Sequence, residues 1–502
     1  MKILFLNPSR DGSADIPLNL PILISLLKNN NHEVRLFDLA DYLVFEDKAN
    51  ERIFFKEAKF DPEKVRNDRK AHYKDAYGDV VTGSELKHSD YRDDFATTLV
   101  DFKPDMIAVS CLSVDFRFTC DFLSGFKHRY QIPTIFGGIH AILMPEETLA
   151  SPICDYVCVG EGEESFIELL YALENSKSLE GVRGIWYKKE GAIVKNAPAP
   201  LTDMATLPPA DFTCFDPIHF YRPFDGNRYK MVNYELSRGC PFGCSYCVNS
   251  VLKEKYKGLG HYHRMKQVNQ SIGELTFLID KYDFDFVRFW DEDFTAISVS
   301  RLEEYSRAYS REIHLPFLIY ARVNSVTEKK VRILKDMGCK TFAMGIESGN
   351  ESIRARVMYR HVSNDAIIET FRLVKSVGIR ASAYNIIGLP CETRKEIFDT
   401  IELNRMVKPD SFSVTYLEPY KGVPIRKMCE DEGLDPSYEV TEWDPLRPKF
   451  VPKGMSYDEL RGLFRTFPFY VRFPKDRYNE IEHAEREDTV YEQLLAEFAQ
   501  IR

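Results

Sequence analysis

Apolar and polar positions alternate along the first third of the chain as a doubly wound α/β domain requires. Residues 2–6 form a short apolar run that predicts a buried strand, and residues 18–28 follow with helical spacing after a Pro/Asn-rich loop. Strand patterns recur at 33–38, 105–110, 133–136 and 156–159, with helical stretches near 116–128 and 163–173. This order predicts a Rossmann-like parallel sheet over residues 1–196, with ligands held beyond the carboxyl ends of its strands. Loops 7–19, 110–115, 137–144 and 160–163 occupy that rim. Residues 41–92 are charged and Tyr-rich without a clean period, and read as a partly helical insertion.

Pro198, Pro200, Pro208, Pro209 and Pro217 mark a linker over 197–228, because proline fixes φ and lacks an N–H. A second alternating unit spans 229–425, with strand patterns at 231–237, 284–290, 316–321, 340–345, 380–387 and 411–416. Helical patterns at 326–337 and 364–377 end at Gly338 and Gly378, the expected left-handed caps. Six β/α units predict a partial (β/α)6 barrel with its chemistry at the strand carboxyl ends. Residues 426–502 form a small mixed, α-rich region. Its Phe467–Pro474 cluster reads either as a cover over a substrate cavity or as a satellite core.

Composition narrows the class. The 502 residues are 44% hydrophobic and 29% charged, an ordinary globular mixture. Sixty-seven basic against 77 acidic residues leave a net charge of −10, which argues against nucleic acid as the main partner. No apolar run reaches the ~18 residues of a membrane span, and the first strand is too short for a secretory signal. Eleven cysteines, an odd number, suit a reducing compartment. A cytoplasmic protein is the expectation.

The chemistry concentrates in Ser237-Arg238-Gly239-Cys240-Pro241-Phe242-Gly243-Cys244-Ser245-Tyr246-Cys247. Three thiolates at i, i+4 and i+7 after a strand can wrap one corner of a cubane, and soft thiolates select iron–sulfur clusters, zinc or Cu(I). A closed zinc site needs a fourth ligand, for which His261 or His263 stands near. Three ligands instead leave one iron of a [4Fe–4S] cluster open.

Cys-x3-Cys-x-Φ-Cys, placed after the first of six β/α strands, resembles the radical S-adenosylmethionine (SAM) superfamily. The resemblance implies that Cys240, Cys244 and Cys247 hold a [4Fe–4S] cluster whose open iron binds SAM, cleaved on electron transfer to a 5′-deoxyadenosyl radical. It implies SAM contacts from Tyr246, from Asp291 and Glu292 after the second strand, and from Arg322 and Asn324 after the third. Glu347 after the fourth strand and Gly388 and Leu389 after the fifth complete that set. The acidic group at 291–293 also reads as a simple helix-capping loop.

The first unit resembles the cobalamin-binding domain found ahead of many radical SAM enzymes, on Gly137-Gly138-Ile139-His140, Pro145-Glu146 and Val159-Gly160-Glu161-Gly162-Glu163. The resemblance implies cobalamin contacts from Asn7, Ser110, Leu112, Ser113, Gly137, Gly138, His140, Gly160, Glu161 and Gly162. No histidine has Asp two positions before it, so the Asp-x-His-x-x-Gly axial ligation of cobalamin mutases is not expected. Cys154 and Cys158 read as core, while Cys111 and Cys391 lie at strand ends without a settled role.

Together the two modules imply a cobalamin-dependent radical SAM enzyme, expected to methylate an unactivated carbon or phosphorus centre of a small-molecule or peptide substrate. A flavodoxin- or ferredoxin-like electron donor is implied. Cyclisation, ring contraction or oxidation is the alternative outcome, and a non-catalytic corrinoid- or iron–sulfur-binding regulator the alternative class. A methylthiotransferase is disfavoured because no second cysteine triad lies upstream.

Overall fold

The computed structural model describes residues 1–9, 16–42, 87, 89–225, 227–434, 448–498 and 500. Most of the insertion expected at 41–92 lies outside the described residues.

The first sheet contains β1 (Lys2–Asn7), β2 (Glu33–Asp38), β3 (Met106–Ser110), β4 (Thr134–Gly137), β5 (Tyr156–Cys158), β6 (Ile185–Lys189) and β7 (Ala192–Lys195), in spatial order β2-β1-β3-β4-β5-β6-β7. Strand β1 is apolar on both faces because both are covered. Ile3 and Phe5 pack with Leu20, Ile24, Leu169 and Leu170, whereas Leu4 and Leu6 pack with Phe95, Leu99 and Phe122. The first five strands are parallel, but β6 and β7 form an antiparallel edge that the alternating pattern did not predict. The reason is local. Gly191 at φ +82° closes a tight turn between them, which makes the pair a hairpin rather than a further crossover unit.

The second sheet contains β8 (Tyr221–Phe224), β9 (Asn227–Tyr234), then β12 (Phe286–Phe289), β13 (Phe317–Ala321), β14 (Cys339–Glu347), β15 (Arg380–Ile387) and β16 (Ser411–Tyr416). A separate two-stranded ribbon pairs β10 (Ser237–Arg238) with β11 (Arg264–Met265). The large sheet runs β8-β9-β12-β13-β14-β15-β16, parallel from β9 onward and sequential in space, as a half-barrel of β/α units requires. Strand β8 falls inside the stretch read as linker and pairs antiparallel with β9.

Gly338 and Gly378 sit at φ +106° and +76° after their helices, as expected. The C-terminal Phe/Tyr cluster is core. Phe467, Phe469 and Tyr470 lie on the buried face of the helix Tyr457–Arg472, and Phe464 stacks on Tyr416 of β16 with centroids 4.1 Å apart. Arg405 ties down the end of that helix by donating to the carbonyls of Tyr470, Val471 and Phe473. No helix among the described residues is long and apolar enough to cross a membrane.

The two units meet along a continuous apolar core and, at their rims, through a smaller cluster. There Ile139 and Ile142, beyond β4, pack against Val248, Leu252 and Tyr256 of the helix that follows Cys247. The carboxyl edge of the first sheet is thereby brought to the cysteine loop.

Candidate active site

The loop carrying the three cysteines is held from several sides. Asp291, at the carboxyl end of β12, is buried and accepts from the Ser237 hydroxyl and from the Leu236 N–H at 3.3 Å. Burial pushes its carboxyl up to about 7. Gly239 turns the chain at φ +82°, where a Cβ would lie 2.2 Å from the Tyr262 carbonyl oxygen, so only glycine fits. Further along, the Ser245 N–H donates to Met358 and its carbonyl accepts from Ile425, at 3.2 and 3.0 Å.

All three thiols are free, Cys244 buried and Cys240 and Cys247 half-buried. Two side-chain donors address them. Arg322 Nη1 lies 2.9 Å from Cys244 Sγ, and Asn249 Nδ2 lies 3.6 Å from Cys247 Sγ. Arg322 is itself fixed, its guanidinium stacked 4.0 Å over the Phe242 ring and its N–H on Asp293. Asp293 also holds Thr295 and Ser325, so it orders the ends of β12 and β13. Donors aimed at sulfur suit thiolates bound to a cluster. Burial, helped by the neighbouring Cys247, Asp293 and Glu292, pushes the Cys240 thiol up to about 12.

Around the loop, the predicted acidic and basic residues converge unequally. Glu292 is solvent-accessible yet crowded by protein, and desolvation with the nearby Glu235 pushes its carboxyl up to about 7. Glu347, at φ +66° where β14 ends, accepts from Tyr246 Oη at 3.1 Å and pairs with Arg360 at 3.5 Å. Arg360 also donates to Tyr246 and to the Gly345 carbonyl. Asn324 is exposed, taking a long 3.4 Å contact from Arg322 and donating to the His361 carbonyl.

Three expected SAM contacts are otherwise employed. Asp291 places both carboxylate oxygens on the start of the cysteine loop and so supports that loop. The N–H groups of Gly388 and Leu389 both donate to the buried carboxylate of Glu392, at 2.7 and 3.0 Å, and the Leu389 side chain is fully buried. Both amides are therefore spent within the turn. Glu392 was not anticipated, because a glutamate after Gly-Leu-Pro carries no sequence signal of burial.

On the facing rim, Leu112 is an exposed apolar side chain between β3 and the helix Ser113–Tyr130. Gly138 sits at φ +85°, and a Cβ there would lie 2.8 Å from the Cys111 nitrogen. His140 is buried, stacked on Phe116 with centroids 4.0 Å apart, its Nδ1 on Ser113 Oγ at 3.1 Å and its Nε2 without a partner among the described residues. Burial pushes the imidazole down to about 4, so it is neutral at pH 7. Ser110 Oγ accepts from Asn19. Gly137 is half-buried, and Gly160 and Gly162 leave ordinary van der Waals clearance, Gly160 toward Tyr256. Asn7 and Glu161, both expected at the cobalamin rim, have protein partners. The Asn7 amide donates to Asp38, at 2.9 Å. Glu161 accepts from Arg264 and from the Thr202 N–H, and is therefore engaged at the junction of the two units.

Asp38, Asp41 and His219 also place ligand atoms within 4.8 Å of one another, but Lys87 pairs with Asp41 at 3.0 Å, and the group ties the segment Pro217–Phe220 to the first sheet. Arg238, Glu235, Asp293 and Arg360 are site residues that sequence reasoning passed over. The first three stand in or beside quoted motifs, whereas Arg360 has no local signal at all.

Two strand-edge sites face one another: a loop of three free thiols on a half-barrel, and a glycine-lined rim on a doubly wound sheet. Residues 234–403 match the Radical SAM superfamily, and residues 71–170 match the B12 binding domain. The chain is 27% identical to an uncharacterized methyltransferase of Pyrococcus horikoshii, over 96% of this chain and 95% of the other. It is 24% identical to the anaerobic magnesium-protoporphyrin IX monomethyl ester cyclase of Rubrivivax gelatinosus, over 79% and 70%. The fold is shared with the radical SAM methyltransferase TsrM of Kitasatospora setae, solved with cobalamin and a [4Fe–4S] cluster, at a TM-score of 0.65 and 14% identity over 99% and 100%. The chain belongs to the cobalamin-dependent radical SAM enzymes. The cofactors of that family are a [4Fe–4S] cluster, SAM and cobalamin.

Proposed function

We propose that this enzyme transfers a methyl group to an unactivated carbon or phosphorus centre of a small-molecule substrate. The observation that carries the reading is the packing of the glycine-lined rim on the helix that follows the cysteine loop, through Ile139 and Ile142 against Val248, Leu252 and Tyr256. When bound, the cluster and SAM supply a hydrogen-abstracting radical and cobalamin supplies the methyl group; the protein's part is orientation and exclusion of water. The methyltransferase relatives support methylation, and the cyclase relative marks the alternative outcome.

Cys240, Cys244 and Cys247 would hold the cluster. Glu292 would accept from the SAM ammonium. Arg322 lends its charge to the Cys244 sulfur and to the SAM carboxylate. Tyr246, Glu347 and Arg360 form one hydrogen-bonded wall on which the nucleoside rests. Leu112, Gly137, Gly138, His140 and Gly160 line the corrin side.

The test is an anaerobic preparation assayed for iron, sulfide and cobalt, then incubated with SAM and a strong reductant. Methyl transfer predicts S-adenosylhomocysteine and 5′-deoxyadenosine in equal amounts during productive turnover. Turnover without S-adenosylhomocysteine would remove the methylation reading and leave the radical one standing.

A further inference from the structure

The glutamates of the Gly160-Glu161-Gly162-Glu163 loop stand on the corrin-side rim, yet both point away from it, into the cysteine loop of the other unit. Glu163 pairs with Arg238 at 2.6 Å, and the two side chains are only 7% and 12% exposed. Glu235 takes the Arg238 Nε at 2.8 Å, and Glu161 lies 3.6 Å from its Nη1. Glu161 also pairs with Arg264. Arg238 and Arg264 are cross-strand partners in the β10–β11 ribbon, and Arg238 is separated from Cys240 only by Gly239. Two arginines and three glutamates are thus gathered between the ends of β5 and β9, at the root of the cluster loop.

We propose that Glu161 and Glu163 are positioning residues that set the cysteine loop in register with the cobalamin rim through Arg238 and Arg264; this deepens the reading above and rests on it. Docking of the two units is already supplied by apolar packing. Buried ion pairs add little net stability, because desolvation offsets their attraction, whereas guanidinium–carboxylate pairs are directional. Their contribution here is geometry. Arg238 is clasped by carboxylates from both units, so a shift of the glycine-rich turn moves the backbone that carries Cys240.

The experiment uses full-length Glu163→Gln and Arg238→Lys. In the iron-free chain, hydrogen exchange is followed at the amides of residues 239–247, without and with hydroxocobalamin, alongside its binding by absorbance. Glu163→Gln is expected to speed exchange in that loop at least tenfold, leaving cobalamin affinity within about threefold of the parent. Arg238→Lys, which keeps the charge but loses the fork, should fall between. In the loaded enzyme, the power saturation of cob(II)alamin by the reduced cluster should change in Glu163→Gln at unchanged iron and cobalt content. Unchanged loop exchange overturns the proposal, as does a tenfold loss of cobalamin affinity with the loop unaffected, which would make Glu163 a cobalamin ligand. Neither readout depends on methylated product, so failure of the methylation reading is seen separately.

Discussion

Arg322 Nη1 sits 2.9 Å from Cys244 Sγ, with the same guanidinium stacked on Phe242 two residues before that cysteine. A fixed cation donating to a cluster sulfur stabilises the reduced, more negative state and raises its potential. Arg322→Gln should therefore lower the cluster midpoint by about 60 mV, equivalent to about 1.4 kcal/mol for one electron. An EPR-monitored redox titration reads this directly, and a midpoint unchanged or raised would show that the contact does not persist in the loaded enzyme.

Replacing any of Cys240, Cys244 or Cys247 by Ala should reduce iron from about four atoms per chain to a small residue, since each thiolate is one of only three ligands. Cobalamin binding and the thermal midpoint of the apoprotein should stay near the parent's. Retention of iron in all three variants would refute the cluster assignment.

Gly239→Ala should cost at least about 1–2 kcal/mol, the penalty of a left-handed backbone for an L residue, before the clash with the Tyr262 carbonyl is added. The effect is expected first in cluster loading, because the strain falls between Arg238 and Cys240. Iron content after reconstitution, with circular dichroism as control, measures it.

Glu392 is fully buried, and burial pushes its carboxyl from 4.5 up to about 8. The folded state thus binds a proton that the unfolded state has released. Stability is full below about pH 4.5 and falls as pH rises toward 8, by up to about 1.4 kcal/mol per pH unit. Glu392→Gln keeps an oxygen for the Gly388 and Leu389 N–H groups without the charge. The variant should be more stable than the parent at pH 8 and about equal at pH 5; thermal melts at the two values decide it.

Leu112→Asp should weaken cobalamin binding roughly tenfold, because a charge would then face an apolar ligand surface at the rim. The side chain is 53% exposed, so the thermal midpoint of the apoprotein should hardly move. Equal affinity for hydroxocobalamin in variant and parent would remove Leu112 from the site.

Much of this protein follows from short-range pattern. The strand at 380–387 and the strand at 411–416 have the bounds their apolar runs predict, and Gly338 and Gly378 end their helices, because hydrophobic period and backbone sterics act within a few residues. The cysteine triad is equally local, since one loop carries every thiolate of the cluster. What tertiary structure alone decided is which polar groups were already spoken for. Asp291 bonds to Ser237, the Gly388 and Leu389 amides bond to Glu392, and Glu163 meets Arg238 across the boundary between units. Residue type states what a side chain can bond to, but a carboxylate is a ligand or a strut according to which donors the fold has placed beside it, and those donors arrive from distant parts of the chain.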